Sequence, residues 1–371
     1  MQNILTASEN YTELDDYFVR SGAKTVLLVC GGSIKLLRLN GYFNTLEERT
    51  GIRVVRFCDF QSNPLYESAV KGVKVFRGNN CDLIAAVGGG SAMDIAKCIK
   101  LYSNMEDSEN YLKQKIIPNG VPLLAVPTTA GTGSEATRYA VIYFNGEKQS
   151  VSDNSCIPST VLFDPTTLTS LPVYQKKATM MDAFCHAIES FWSVNSTDES
   201  KAYSKEAIGL IIANKEKYIA NDDEGNTNML KAANIAGKAI NITQTTAGHA
   251  MCYKLTSLYG IAHGHAAALC IVKLLPYMIK NADKCIDSRG SDHLKTVLDE
   301  IAEAMGCKTP QQAAKKLEAI VSDLGLQAPA VKSSDDISLL KNSVNPIRLK
   351  NYPVALEADA IERIYREILN A

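Results

Sequence analysis

Asp182 and His186 stand four residues apart in ATMMDAFCHAIESFW, and His249 and His263 follow in TTAGHAMCYKLTSLYGIAHGH. The chain has only 5 histidines, and all but one fall within residues 179–265, as His186, His249, His263 and His265. Asp and His at i and i+4 share one face of a helix. Two further helices converging on that face would bring the other imidazoles to the same point. One carboxylate with three imidazoles is a donor set for a first-row divalent metal. The bland alternative for any one histidine is a side chain satisfied within the core. Asp182, however, lies among Met180, Met181, Ala183, Phe184, Ile188 and Phe191. A carboxylate facing such a core needs a partner, and a metal ion or a lysine would serve. No cysteine has the spacing of a structural zinc site.

Three glycine-bearing turns follow apolar runs. GGGSAMDIAK (residues 88–97) leaves LIAAV and opens a helix, so Gly88, Gly89, Gly90 and Ser91 can let a phosphate approach free backbone N–H groups. The spacing is not Gly-x-Gly-x-x-Gly, and a plain tight turn is the competing reading. PTTAGTGSEAT (residues 127–137) leaves LLAV and offers hydroxyls at Thr128, Thr129, Thr132, Ser134 and Thr137. Strand ends are where open α/β sheets bind ligands, and two such loops suggest a nucleotide across them. The third turn, Gly31-Gly32-Ser33-Ile34-Lys35, carries no acid. NAD-selective sites usually present a carboxylate to the adenosine ribose, which would repel a 2′-phosphate. Asp59, after the second strand, is the competing signal for NAD. A metal beside a nicotinamide would polarise an alcohol or carbonyl oxygen while hydride passes to or from the cofactor.

The elements that must position these residues change in kind along the 371 residues. Strands are expected at residues 25–30, 53–57, 83–87, 122–126 and 160–163, with helices at 34–49, 66–77 and 91–101 between them. Asn145-Gly146 marks a two-residue hairpin between residues 139–144 and 149–152. Repeated βα units call for a mostly parallel sheet with helices on both faces. Beyond the turn-rich DPTTLTSLP the chain reads as helices: 175–193, 199–220, 226–241, 247–259, 264–280, 294–305, 310–324, 335–341 and 358–370. The expected division is an α/β Rossmann-like nucleotide-binding domain (1–165) and an all-α metal-binding, catalytic domain (166–371), with a site between them. Charge is balanced, 39 basic against 40 acidic residues, so no nucleic-acid partner is implied. The 10 cysteines lack a Cys-x-x-Cys pair and fit reduced, mostly buried thiols in a cytoplasmic protein. Neither a signal peptide nor a membrane-spanning run is read.

GGGSAMDIAK, PTTAGTGSEAT, DAFCHAIES and GHAMCYKLTSLYGIAHGHA together resemble the iron-containing (group III) alcohol dehydrogenases, in order and spacing, over nearly the whole chain. The resemblance implies the dehydroquinate synthase-like architecture of that family and an assembly of two copies, a homodimer. It implies Asp182, His186, His249 and His263 as ligands, usually to Fe2+ and sometimes to Zn2+. Gly88 to Ser91 would hold the pyrophosphate, Asp94, Thr128, Thr129, Thr132 and Ser134 would line the cofactor, and Lys148 would stand near the nicotinamide ribose. The Gly31-Gly32-Ser33 turn looks like that of NADP-preferring members, so NADPH is expected over NADH. Where many members carry a proton-relaying histidine after the ligand at His249, this chain has Tyr253, a phenol whose ordinary pKa near 10 makes it a poor base. His265 is an extra histidine that either takes over that relay or packs behind the ligands, the second being favoured. Tyr253 and His265 are therefore the candidate catalytic residues.

ITQTTAGHAMCYKLTSLYGIAHGHAAALC, PVYQKKATMMDAFCHAIESFWSVNS and NPIRLKNYPV are most similar to the phosphonoacetaldehyde reductase subgroup, which makes 2-hydroxyethylphosphonate. A dianionic substrate needs cations, and Arg138, Lys254 and Arg348 are the candidates, with Lys350 beside the last. The alternatives are a general short-chain alcohol or diol dehydrogenase and a lyase of the dehydroquinate-synthase kind, which uses NAD only transiently.

Overall fold

A computed structural model describes residues 2–107 and 109–371. The chain forms two compact units, one of Met1–Leu171 with Asn221–Leu230 and one of Pro172–Ala220 with Lys231–Ala371.

In the first unit β1 (Asn3–Thr6), α1 (Thr12–Ser21), β2 (Thr25–Cys30), α2 (Arg38–Asn44), α3 (Leu46–Thr50) and β3 (Arg53–Phe57) come first. Then follow α4 (Tyr66–Gly78), β4 (Leu83–Gly88), α5 (Gly90–Tyr102), β5 (Leu123–Pro127), a β6 (Tyr139–Phe144)–β7 (Glu147–Ser152) hairpin and β8 (Thr160–Phe163). Six strands form one parallel sheet in the order β1-β8-β5-β4-β2-β3. The apolar runs explain its centre: every residue of β2, β4, β5 and β8 is buried, as expected of parallel strands covered on both faces. Leu14 and Phe18 of α1 close one face with Phe43 of α2 against Val26 and Leu28, each fully buried side chain contributing about 1.5–3 kcal/mol. From β2 the chain crosses to β3 on one side, and from β4 to β5 on the other. The ends of β2 and β4 therefore flank the switch point where α/β sheets open a crevice. Both glycine turns start there.

The hairpin forms as its turn residues dictate, with positive φ at Asn145 (52°) and Gly146 (78°). Two expectations need correction. The edge strand β1 was not anticipated from sequence, because its four residues are mostly exposed and carry no apolar alternation. The expected helix over 34–49 is broken: a 3-10 turn (Gly32–Leu36) stops at Leu37, whose extended backbone turns its side chain into the core before α2 and α3.

The second unit is helical: α6 (Val173–Trp192), α7 (Asp198–Ile219), α8 (Asp223–Thr243, whose start belongs to the first unit), α9 (Ala247–Tyr259), α10 (His263–Lys280), α11 (Ser291–Ala304), α12 (Pro310–Asp323), α13 (Asp336–Asn342), α14 (Pro346–Leu349) and α15 (Ala358–Leu369). Sequence periodicity anticipates all but the one-turn α14. α6 is the axis, with every residue from Met180 to Trp192 buried. Among the described residues, no helix is long and apolar enough to cross a membrane.

One buried cation fixes the loop after β5. Lys97 of α5 is 0% exposed, and its ammonium donates to the carbonyls of Ser134 (2.6 Å), Thr137 (2.8 Å) and Tyr139 (2.7 Å). The hydroxyls of Ser134 and Thr137 lie at 3.1 and 3.2 Å. Burial lowers the Lys97 pKa, and the nearby Asp94 charge opposes that shift. Lys97→Met keeps the length but strips these acceptors of their donor. It should cost about 3 kcal/mol, because breaking a buried charged network leaves its partners unpaired. A denaturation midpoint equal to that of the parent would refute this account.

Candidate metal centre and nucleotide loops

α6, α9 and α10 bring the candidate ligands together within the second unit. Asp182, His249 and His263 each offer a donor atom, and these atoms lie within 4.8 Å of one another. His249 Nε2 is 3.4 Å from Asp182 Oδ1, and His186 Nε2, one turn on along α6, is 4.0 Å from the same oxygen. The His186 and His249 rings stack at 4.5 Å, and His249 and His263 lie 5.3 Å apart. Asp182, His186 and His249 are buried, while His263 is partly exposed and marks the open side. Burial by itself would raise the Asp182 pKa, but the imidazoles of His186, His249 and His263 hold it well below the usual carboxylate range. The lysine alternative is set aside, since Lys176 and Lys177 of α6 donate instead to the Tyr218 and Leu324 carbonyls. One carboxylate and three imidazoles converging this closely fit a divalent transition-metal ion.

Sequence reasoning missed Glu189, which organises the cluster. Fully buried on the same face of α6, it takes N–H donors from Thr246 (3.1 Å), Gly248 (2.8 Å) and His249 (3.3 Å), the unsatisfied groups at the start of α9. The Thr246 hydroxyl adds a bond at 2.6 Å. The other carboxylate oxygen accepts from His249 Nδ1 in a short contact. This fixes the tautomer and leaves Nε2 as the donor atom towards Asp182. Burial opposes the charged imidazole, but Glu189 and Asp182 outweigh it and lift the metal-free His249 to about 9. The available signal was positional: Glu189 follows His186 by three residues on a helix, and so shares its face.

Both ring nitrogens of His265 are hydrogen-bonded. Its Nε2 donates to the Gln327 carbonyl (3.0 Å), so Nδ1 accepts from the Tyr174 hydroxyl (3.1 Å). The Tyr174 oxygen in turn accepts the Ala262 N–H at 2.9 Å, holding the residue before His263. Tyr253 stacks on His263 at 5.4 Å with the rings 21° apart. Burial pushes its phenol well above the usual range, and the Arg348 charge partly offsets the shift. Arg348 also donates to Gln244 Oε1 at 2.7 Å. Of the three candidate substrate cations, Arg348 stands on α14, which packs against α9. Lys254 is partly exposed on α9. Arg138 belongs to the first unit, where it lies over the Tyr139 ring and bonds its hydroxyl at 3.0 Å.

In the first unit the two candidate nucleotide loops meet. Gly88 ends β4, Gly89 precedes α5, and Gly90 and Ser91 begin it. The Thr128 N–H donates to the Gly88 carbonyl at 3.1 Å. A Cβ on Gly89 would come 3.1 Å from Thr129 Oγ1, and one on Gly90 equally close to Thr132 Cγ2. Asp94 accepts from the Ser134 hydroxyl at 3.0 Å, and burial pushes its carboxyl up to about 6 against the pull of Lys97. Ser134 and Asp94 therefore brace the loop. Lys148, exposed on β7, also acts electrostatically on Asp94. Gly31, Gly32, Lys35, Asn44, Arg56 and Cys58 line a groove of about 630 Å³ at the ends of β2 and β3, with Ser33 exposed beside it. Asp59 is ion-paired with Lys71 at 2.7 Å.

Comparison with known proteins gives a consistent picture. The model of the iron-containing alcohol dehydrogenases matches residues 2–165, and that of the C-terminal part of the Fe-containing alcohol dehydrogenase family matches 176–369. The phosphonoacetaldehyde reductase of Streptomyces viridochromogenes is 31% identical over 315 residues, covering 81% of this chain and 80% of the relative. The 1,3-propanediol dehydrogenase of Citrobacter freundii is 33% identical over 275 residues, 72% of this chain and 71% of that one. Among solved structures, sulfoacetaldehyde reductase from Bifidobacterium kashiwanohense in complex with NAD+ superposes with a TM-score of 0.87 at 25% identity, covering 100% of this chain and 97% of that one.

Gly264 sets the approach of α10 to α6. A Cβ there would stand 2.0 Å from the Ala178 carbonyl oxygen and 2.7 Å from Asp182 Cβ. Gly264→Ala must push His263 away from Asp182. It should lower stability by about 1–3 kcal/mol, the usual cost of overpacking, and reduce iron retained after anaerobic reconstitution. Metal content and denaturation midpoint both unchanged would contradict this geometry.

Proposed function

Because the chain belongs to the iron-containing alcohol dehydrogenase family, we propose that it reduces a small anionic aldehyde with NADPH, with phosphonoacetaldehyde going to 2-hydroxyethylphosphonate. The reaction class, interconversion of alcohol and aldehyde with a nicotinamide cofactor, comes with the family. The observation that supports the anionic substrate is the place of Arg348 on α14, which packs against α9, the helix that carries His249 and Tyr253. A guanidinium there suits a phosphonate, because its planar fork matches the anion's oxygens. Two of the relatives are named for a phosphonate-bearing and a sulfonate-bearing acetaldehyde.

A divalent iron held by Asp182, His186, His249 and His263 would supply Lewis acidity to the substrate oxygen. The nicotinamide would supply the hydride. The chain's own residues do the rest. Glu189 keeps His249 in one tautomer and orientation. Tyr253, protonated at neutral pH as an ordinary phenol is, is the candidate donor of the proton that completes the alcohol. His265 holds the start of α10 through Tyr174.

Gly88 to Ser91 with Thr128, Thr129 and Thr132 form the proposed pyrophosphate cradle, at a helix N-terminus that favours anions. NADPH is favoured at the adenosine end. The groove there presents Lys35 and Arg56 and no carboxylate, while the competing Asp59 is engaged by Lys71. A general alcohol or diol dehydrogenase is the second reading, supported by the propanediol dehydrogenase relative.

A panel of phosphonoacetaldehyde, sulfoacetaldehyde, propionaldehyde and 3-hydroxypropionaldehyde, followed by NADPH and NADH oxidation, separates the two. The anionic aldehydes should show the higher kcat/KM, and NADPH the higher rate. Arg348→Glu should raise KM for phosphonoacetaldehyde by about ten- to a hundredfold, the worth of a lost charge-assisted contact. The neutral aldehydes should barely change, and an equal rise for all of them would rule out the anionic substrate. Chelation should abolish turnover and anaerobic Fe2+ restore it; activity that survives metal removal would refute the catalytic cluster.

A further inference from the structure

Two thiols meet beside the adenosine-end groove. Cys30 is the last residue of β2, and Cys58 follows the last residue of β3. The parallel register pairs Val29 with Phe57, so the cysteines are the next pair beyond the ladder. Their sulfurs lie 3.6 Å apart. Cys30 is buried and Cys58 is exposed, where it lines the groove with Gly31, Gly32, Lys35 and Arg56. We propose that Cys30 and Cys58 form a reversible disulfide that shuts this groove to the dinucleotide, so that the rim is a redox-sensitive gate. The gate rests on the reading above that the groove receives the adenosine end of the cofactor.

The geometry favours the bond. Neighbouring strands run about 4.8 Å apart, within the Cα separations that disulfides span. The sulfurs need only close from 3.6 Å to about 2.05 Å, which side-chain rotation can supply. The order of events follows from exposure. Cys58 meets solvent first, and its thiolate attacks a peroxide, giving a sulfenic acid and hydroxide. Cys30 then gives up its proton and attacks the Cys58 sulfur, expelling the sulfenic oxygen as water. In sum, two thiols and one hydrogen peroxide give one disulfide and two waters. A small dithiol reverses the reaction by exchange. Burial beside Cys58 raises the Cys30 thiol to about 12, which makes its attack the slower step. The Arg56 guanidinium works in the other direction and supports the thiolate as it forms.

The bond would act where the cofactor must fit. Cys30 leads directly into Gly31, and Cys58 forms part of the wall. The bond swings the Cys58 sulfur out of the groove wall towards Cys30 and locks the rim at the mouth of the groove. Binding is reciprocal, so a seated dinucleotide also shields Cys58.

The test uses the full chain, reduced under argon and then exposed to hydrogen peroxide, with NADPH affinity rather than turnover as the readout. The peptide bearing Cys30 should be recovered linked to that bearing Cys58, and the NADPH Kd should rise by about tenfold or more. Dithiothreitol should reverse both changes. Cys58→Ser and Cys30→Ala, each compared with its own reduced state, should show no peroxide effect on Kd. NADP+ should slow alkylation of Cys58 by iodoacetamide in the reduced parent. Absence of the linked peptide, a linked peptide with unchanged Kd, or an equal peroxide effect in both variants would overturn the gate. A reduced protein that binds neither NADPH nor NADH overturns the nucleotide reading, and the gate with it, whatever the linked peptide shows.

Discussion

Two carboxylates on one buried helix govern the second unit. Asp182 and Glu189 both stay ionised despite burial, each held below the usual carboxylate range. An unpaired buried charge costs several kcal/mol, so the neighbouring elements are arranged to answer these two. Glu189 is met by the opening N–H groups of α9 and by His249. Asp182 is met by the imidazoles. α9 therefore starts where it does because a carboxylate waits for its free amides. The same carboxylate aims an imidazole at the second one. Structure and chemistry share a single electrostatic arrangement, which is why no side chain at this end of α6 can be assigned to one role alone.

The first unit solves the opposite problem with a cation. Lys97 gathers the carbonyls of a loop that has no regular hydrogen-bonding partner of its own. Backbone carbonyls inside a protein must find donors. Here one ammonium serves several and holds the threonine loop against the glycines of α5. A glycine-rich turn is usually credited to its glycines, yet this one depends equally on a buried lysine.

Much of this was legible in the sequence because it is local. Apolar runs before glycines gave the strands and their turns, Asn145-Gly146 gave the hairpin, and the i, i+4 pair with scarce histidines gave the candidate ligands. What the sequence hid depends on contacts between distant segments. β1 exists because β8 offers it an edge, not because its own four residues alternate. The helix over 34–49 breaks because Leu37 must reach the core. Glu189, Lys97 and the Tyr174–His265–Gln327 chain have meaning only once their partners are in place. The Cys30–Cys58 approach needs the β2–β3 register, which no count of cysteines supplies.

The contact at Gly264 has a consequence for motion. With no side chain between them, the start of α10 and the middle of α6 meet backbone to backbone. Close-packed surfaces of this kind shift between discrete arrangements and do not slide. Breathing of the second unit must then be carried elsewhere. The one-turn α14, which has no buried residue, is lightly held by packing. It carries Arg348. The close contact thus fixes the candidate donor atoms, and the yielding segment is the one that carries the proposed substrate cation Arg348.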